Sequence, residues 1–183
     1  MLGYLKAKMF NKNLLITGKP GCGKTTLIKE IVKEIKKPAF GFYTQEIRNK
    51  NGKRVGFEMV SLNGRKGILA HINFESKYRV GKYKVNLEDL EKIGVESVLK
   101  GLESKENLIV IDEIGKMELF SDKFKKAVLK ALDSDNKVLA TIKLTKDPFC
   151  DKIKERKDTK MFELKRANFR SLKQKIKKLI KNV

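Results

Sequence analysis

Between the apolar run Asn13–Thr17 (NLLIT) and the charged-apolar alternation LIKEIVKEIKK, the chain reads GKPGCGKTT from Gly18 to Thr26. No other stretch restricts the fold as tightly. Gly18, four further residues, then Gly23, Lys24 and Thr25 fit G-x-x-x-x-G-K-[ST], a pattern that cradles phosphate when it leaves a strand and opens a helix. Gly21 and Gly23 let backbone N–H groups turn inward around phosphate oxygens, where side chains would crowd them. Lys24 then brings a point charge to the β- and γ-phosphates, Thr25 a hydroxyl to Mg²⁺, and the helix N-terminus its partial positive charge. Lys19, Pro20 and Cys22 complete the loop and Thr26 follows it, so residues 18–26 are the candidate nucleotide-binding segment. A glycine-rich turn that only capped a helix would need neither the Lys nor the Thr.

A second chemical signal lies in LIVIDEIGKMELF, which sets Asp112 and Glu113 at the C-terminal end of an apolar strand. Parallel α/β sheets bind ligands at that edge. Asp112 is the candidate to hold Mg²⁺ through a water, together with Thr25. Glu113, one residue further, projects differently and is the candidate to orient a water behind the γ-phosphate or accept its proton. Lys116 is either a second cation for the transferring phosphate or a solvated lysine. A strand-end Asp-Glu pair is typical of the additional-strand, catalytic-glutamate division of phosphate-loop folds. KVLATI is available as the inserted strand, expected to lie between the strands ending near Thr17 and Asp112. Thr141 at its end would then face the γ-phosphate.

Periodicity supplies the rest of the architecture. A helix is expected from Lys24 to about Lys36, with Leu27, Ile28, Ile31, Val32 and Ile35 on one face and Pro38 ending it. AFGFYT reads as a strand. An antiparallel excursion over about 44–71 follows, with tight turns at Asn51-Gly52 and Asn63-Gly64. NFESKYRVGKYKV reads as a polar loop, Asn86 as the N-cap of a helix to about Glu103, and Ser121 as the cap of another through about Leu132. KMFEL is the expected last strand, and Arg170 or Ser171 opens a final helix with Leu172, Ile176, Leu179 and Ile180 on one face. The sum is one domain over 1–183: an α/β, three-layer α-β-α fold with a mainly parallel sheet and a β-hairpin insertion.

Composition narrows the function classes. No apolar run is long enough for a membrane span, and MLGYLKAKMFNKN lacks the features of a secretory signal, so a soluble cytoplasmic protein is expected. Two cysteines, Cys22 and Cys150, make neither a disulfide framework nor a zinc site; Cys22 reads as packing rather than as a reactive thiol. His71 is alone. The formal net charge of +21 favours anionic partners. A lysine-rich thermophile surface gives the same balance, with glutamine nearly absent and no Trp, and so does a nucleic-acid platform.

The strings TGKPGCGKTTL, GFYTQEIR, KRVGFEMV, YRVGKYKV, VIDEIGKMELFS and LATI, in that order, resemble the P-loop nucleoside-triphosphatase family of thermophiles and of the human cancer-related nucleoside-triphosphatase. The resemblance spans nearly the whole chain, and VIDEIGKMEL is its most specific string. It implies a P-loop NTPase fold of the catalytic-glutamate type. It also implies slow Mg²⁺-dependent hydrolysis of ATP, GTP, CTP and UTP to diphosphate and phosphate. Its loop positions match at Gly18, Pro20, Gly21, Gly23, Lys24, Thr25 and Thr26, and its acidic strand at Asp112, Glu113, Gly115, Lys116 and Glu118. One departure is LKRANFR, which keeps Asn168 but has Phe169 where the family tends to carry an arginine; Arg166, Arg170, Arg79 and Lys82 are the other cations that such a contact would call on. The expected protein is a monomeric hydrolase with water as nucleophile. The competing readings are a small-molecule or nucleoside kinase, which needs an acceptor pocket, and a nucleic-acid-binding ATPase.

Overall fold

The computed structural model describes residues 12–181. Most of the N-terminal stretch read for a secretory signal, and the last two residues of the basic tail, lie outside the described residues. Strands β1 (Asn13–Thr17), β2 (Ala39–Arg48), β3 (Arg54–Ser61), β4 (Lys66–His71), β5 (Arg79–Val80), β6 (Tyr83–Val85), β7 (Leu108–Ile114), β8 (Lys137–Ile142) and β9 (Thr159–Glu163) form one sheet. Its order is β5-β6-β4-β3-β2-β7-β8-β1-β9. From β2 to β9 neighbouring strands run parallel, and from β2 outward to β5 they run antiparallel.

Alternation along the buried strands assigns their side chains to two faces. Leu14, Ile16, Leu108 and Val110 pack with helices α1 (Lys24–Glu34) and α5 (Phe169–Lys181). Leu15, Ile109 and Ile111 pack on the other side with α2 (residues 87–101), α3 (Asp122–Asp133) and α4 (Pro148–Lys154). The three layers follow from this division. Helix α2 is continuous, with a π-helical turn at Leu90–Val95 between two α-helical pieces. The expected caps are in place: the Asn86 side chain accepts from the Asp89 N–H at 3.2 Å and Ser121 Oγ from the Phe124 N–H at 3.1 Å.

Strand β8 lies between β1 and β7, with Thr141 opposite Ile16 and Ala140 opposite Ile111. The antiparallel excursion runs further than 44–71, because the stretch read as a polar loop forms the hairpin β5–β6. There Gly81 takes the turn at φ 58° and Tyr83 and Val85 are buried, an alternation hidden in sequence by the lysines between them. The final helix opens at Phe169, after a 3₁₀ turn at Arg166–Asn168. Helix α4 has no counterpart in the sequence reading, although Asp147 followed by Pro148 is an N-cap followed by Pro at N1. No helix among the described residues is long and apolar enough to cross a membrane.

Candidate active site

Strand β1 delivers the loop at the carboxyl edge of the parallel strands, and α1 begins directly after it. Gly18, Gly21 and Gly23 have φ of 155°, 73° and 101°. Gly23 matters most, since it is the N-cap of α1 in the left-handed region, where a side chain would strain the turn that aims the helix N-terminus into the loop. The Lys24 ammonium folds back to donate to the carbonyls of Gly18 (3.1 Å) and Lys19 (3.4 Å). Cys22 is half-buried, and its N–H donates to the Lys19 carbonyl at 3.2 Å. Behind the loop, the Phe169 ring comes within 3.6 Å of where a Gly23 side chain would begin.

The acids stand beside this loop because β7 carries them there. The β7–β8 register changes between Ile111, opposite Ala140, and Ile114, opposite Ile142, so two residues, Asp112 and Glu113, stand opposite the single Thr141. Such a bulge re-aims side chains that a regular strand would send to opposite faces. Asp112 is 1% exposed. Its carboxylate accepts from Thr25 Oγ1 at 2.7 Å and from Thr141 Oγ1 at 2.5 Å. Burial raises the Asp112 pKa, and the two threonine hydroxyls work against that. Glu113 is likewise pushed up by burial and drawn back down by the charge of Lys24.

A third acid belongs to the same group. Glu118, in the 3₁₀ turn Glu118–Phe120 that follows β7, is 4% exposed. A side chain on Gly115 would begin 2.6 Å from Glu113 Oε1 and 3.0 Å from Glu118 Oε2, so the absence of one leaves room for both carboxyls. Burial and then the charge of Glu113 push Glu118 up to about 8.

The residues expected from sequence thus divide in two. The loop 18–26, Asp112, Glu113 and Thr141 meet at one edge of the sheet, with Thr141 turned onto Asp112. Lys116 is exposed, and no hydrogen bond or ion pair of the described residues involves its side chain. Arg79 lies on the outermost strand β5 and Lys82 in its hairpin turn, across the sheet from the phosphate loop. Asn168 braces the segment after β9, accepting from the Lys165 N–H at 2.8 Å and donating to the Glu163 carbonyl at 2.9 Å. Sequence reasoning passed over Lys143, whose charge also acts on Glu113; its position two residues past Thr141 was the available signal.

The donor set fits a hard divalent cation. Asp112 and Thr25 offer a carboxylate and a hydroxyl side by side, oxygen ligands of the kind that Mg²⁺ takes alongside several waters.

Residues 13–177 match the profile of a protein family described as NTPase. The chain belongs to this family. Among NTPase-family relatives, the nucleoside-triphosphatase THEP1 of Thermotoga maritima is 51% identical over 168 residues, covering 92% of this chain and 95% of its own. The human cancer-related nucleoside-triphosphatase is 38% identical over 173 residues, covering 86% of this chain and 90% of its own. The crystal structure of THEP1 from the hyperthermophile Aquifex aeolicus superposes with a TM-score of 0.84 at 35% identity, over 93% of this chain and 99% of that one. The likeness to these NTPase-family proteins runs through nearly the whole chain.

Proposed function

We propose that this NTPase-family enzyme is a single-domain, Mg²⁺-dependent nucleoside-triphosphatase. In this reading it hydrolyses ATP, GTP, CTP and UTP to diphosphate and phosphate, slowly and with little preference among bases. The observation that carries the reading is the pairing of Asp112 and Glu113 in one bulge opposite Thr141, beside the phosphate loop. A kinase needs the loop and a metal-holding acid; an extra, half-buried carboxylate beside them favours water as the acceptor.

In this reading the backbone N–H groups of 18–23 and the N-terminus of α1 hold the β-phosphate. Lys24 leaves the carbonyls of Gly18 and Lys19 for the β- and γ-phosphate oxygens. Thr25 and Asp112 would hold the Mg²⁺, Asp112 through a water, and Thr141 fixes the rotamer of Asp112. The cation, when bound, offsets charge on the phosphates. Glu113 orients the attacking water and accepts its proton.

Base tolerance is supported by the loop, which grips only what all nucleoside triphosphates share. No guanine-reading N-K-x-D run is present in the sequence. A cavity of about 390 Å³ opens beside the loop between Lys19, Pro20, Leu164, Lys165 and Arg166; the ribose and base would extend into it along lysine and arginine stems.

The test is phosphate release from each of the four triphosphates, with Mg²⁺ and with chelator, alone and with nucleic acid or candidate phosphate acceptors. Release that needs Mg²⁺ and varies by less than about a hundredfold among bases, or ~2.7 kcal/mol, supports the proposal. Turnover that appears only with an acceptor would establish the kinase reading, and turnover that appears only with nucleic acid would make this a nucleic-acid-stimulated ATPase.

A further inference from the structure

We infer that the solvent face of α5, continued onto the edge strand β9, is a docking surface for double-stranded DNA, held by its phosphate backbone without reading of sequence. The inference goes beyond the hydrolytic reading and does not depend on it.

Charge is unevenly placed on this chain. Helices α1, α2, α3 and α4 each carry both signs. Helix α5 carries six cations and no acid. Two of the six, Lys173 and Lys177, turn toward α1 and are taken by Glu30 and Glu34. The other four, Arg170, Lys175, Lys178 and Lys181, are exposed, and no hydrogen bond or ion pair of the described residues involves their side chains. Lys160 of β9 joins this face, because its ammonium and that of Lys175 lie 6.0 and 5.8 Å from the centre of the same Phe162 ring. The acid of β9, Glu163, is occupied by Lys165 at 3.4 Å.

A lysine surface that serves only solubility or heat resistance interleaves the two signs, since opposite charges a turn apart stabilise a helix and like charges weaken it. On α5, Lys175, Lys178 and Lys181 follow one another at intervals of three, and Arg170 stands in the first turn, against the helix dipole. Both arrangements cost stability in the free protein, and a bound polyanion reverses both.

The shape of the face selects the polyanion. At ~1.5 Å per residue, Arg170 and Lys181 are about 16 Å apart along the helix, beside a duplex that carries a phosphate charge every ~1.7 Å of its axis. The rings near the face are turned inward: Phe162 is buried, and Phe169 packs behind Gly23. No aromatic platform is therefore offered to unstacked bases, as single-strand binding requires. A helix fits the major groove of B-form DNA, whereas that of duplex RNA is too narrow. The apolar side of α5 is spent on α1 and β1, which leaves nothing to insert into a lipid surface.

The experiment measures fluorescence anisotropy of a mixed-sequence DNA duplex of about 20 base pairs against the protein without nucleotide, over a range of salt. It compares the parent, Lys175→Gln/Lys178→Gln, and a control, Lys50→Gln/Lys53→Gln, that removes the same charge from the exposed turn between β2 and β3. Circular dichroism melting checks each fold. For the parent, log K should fall with log salt at a slope of about −4, and the helix variant should flatten that slope by about 2. The helix variant should also weaken binding by about tenfold or more at ~0.1 M salt, with the control within about threefold of the parent.

No binding of the duplex at about 50 mM salt overturns the proposal. So do equal losses in the helix variant and the control, which make the attraction one of net charge alone. Equal or tighter binding of a single strand, of duplex RNA or of phosphatidylglycerol vesicles also overturns it. If Lys175→Gln/Lys178→Gln fails to fold, Lys160→Gln/Lys175→Gln takes its place; an unchanged salt slope there overturns the proposal, and a flatter one supports it. Because no nucleotide is present, none of these outcomes bears on the hydrolytic reading.

Discussion

At the scale of single residues, binding and chemistry should come apart at Glu113. Glu113→Gln keeps size and most hydrogen-bonding capacity but removes the proton acceptor. Analogue binding should persist while single-turnover hydrolysis falls by about a hundredfold, within the ~10² to 10⁴ that a positioned general base contributes. Thr141 acts one step back. It is fully buried and donates to a carboxylate that water barely reaches, so Thr141→Val is expected to cost about 1–3 kcal/mol of folding free energy, read from urea unfolding. Glu118 sets a pH dependence. Its folded pKa of about 8 lies above the ordinary 4.5, so between those values the native state holds a proton that the unfolded chain has lost. The stabilisation is complete below about pH 4.5 and is lost as pH rises through about 8. Glu118→Gln should flatten that decline in unfolding free energy across neutral pH.

At the scale of elements, the site is held by pieces that contribute nothing to the chemistry directly. Helix α5 closes the face behind the phosphate loop. Leu172, Ile176 and Ile180 are buried beside Leu27, Ile28 and Ile31 of α1, and Lys173 and Lys177 reach Glu30 and Glu34 across the helix pair. Those ion pairs hold Glu34 down to about 2, but their carboxylates are open to water, and the apolar seam carries the docking. Ile176→Ala should cost about 2–5 kcal/mol, and because α1 begins at the loop, triphosphate binding should weaken with it. Calorimetric titration with the analogue beside denaturant unfolding reads both; a destabilised variant with parental affinity would uncouple α5 from the loop. The bulge in β7 is the other supporting element, since it sets the consecutive residues Asp112 and Glu113 opposite the single residue Thr141.

At the scale of the whole molecule, the nine strands of the described residues share one sheet, and its carboxyl edge collects the loop and the acids from β1 and β7, with β8 between them. The net charge of +21 is spread around this frame. Self-repulsion on that scale opposes compaction, and salt screens it within about 10 Å at ~0.1 M. The melting temperature is therefore expected to rise as chloride is raised from a few millimolar toward about 0.2 M. A fall over that range would mean that attraction within ion pairs outweighs the general repulsion.

The phosphate loop and the Asp-Glu pair were legible in the sequence because their chemistry needs particular residue types at fixed local spacing. The alternation of strands and helices was legible because burial imposes a period on each. The insertion of β8 between β1 and β7 was also readable, since an acidic pair at a strand end goes with that topology. Other features depended on contacts between segments far apart in the chain. The hairpin β5–β6 emerges only where β6 finds β4, and α4 only where Cys150 and Ile153 find the core. The burial of Glu118 beside Glu113 requires the turn after β7 to fold back over Gly115. Lys143 is one lysine among many in the sequence; it is set apart by Asp147, the N-cap of α4, whose carboxylate its ammonium meets at 3.3 Å. Local sequence determined which groups could do the chemistry, whereas electrostatic environment, which falls off with distance in space and not along the chain, was decided by the tertiary fold.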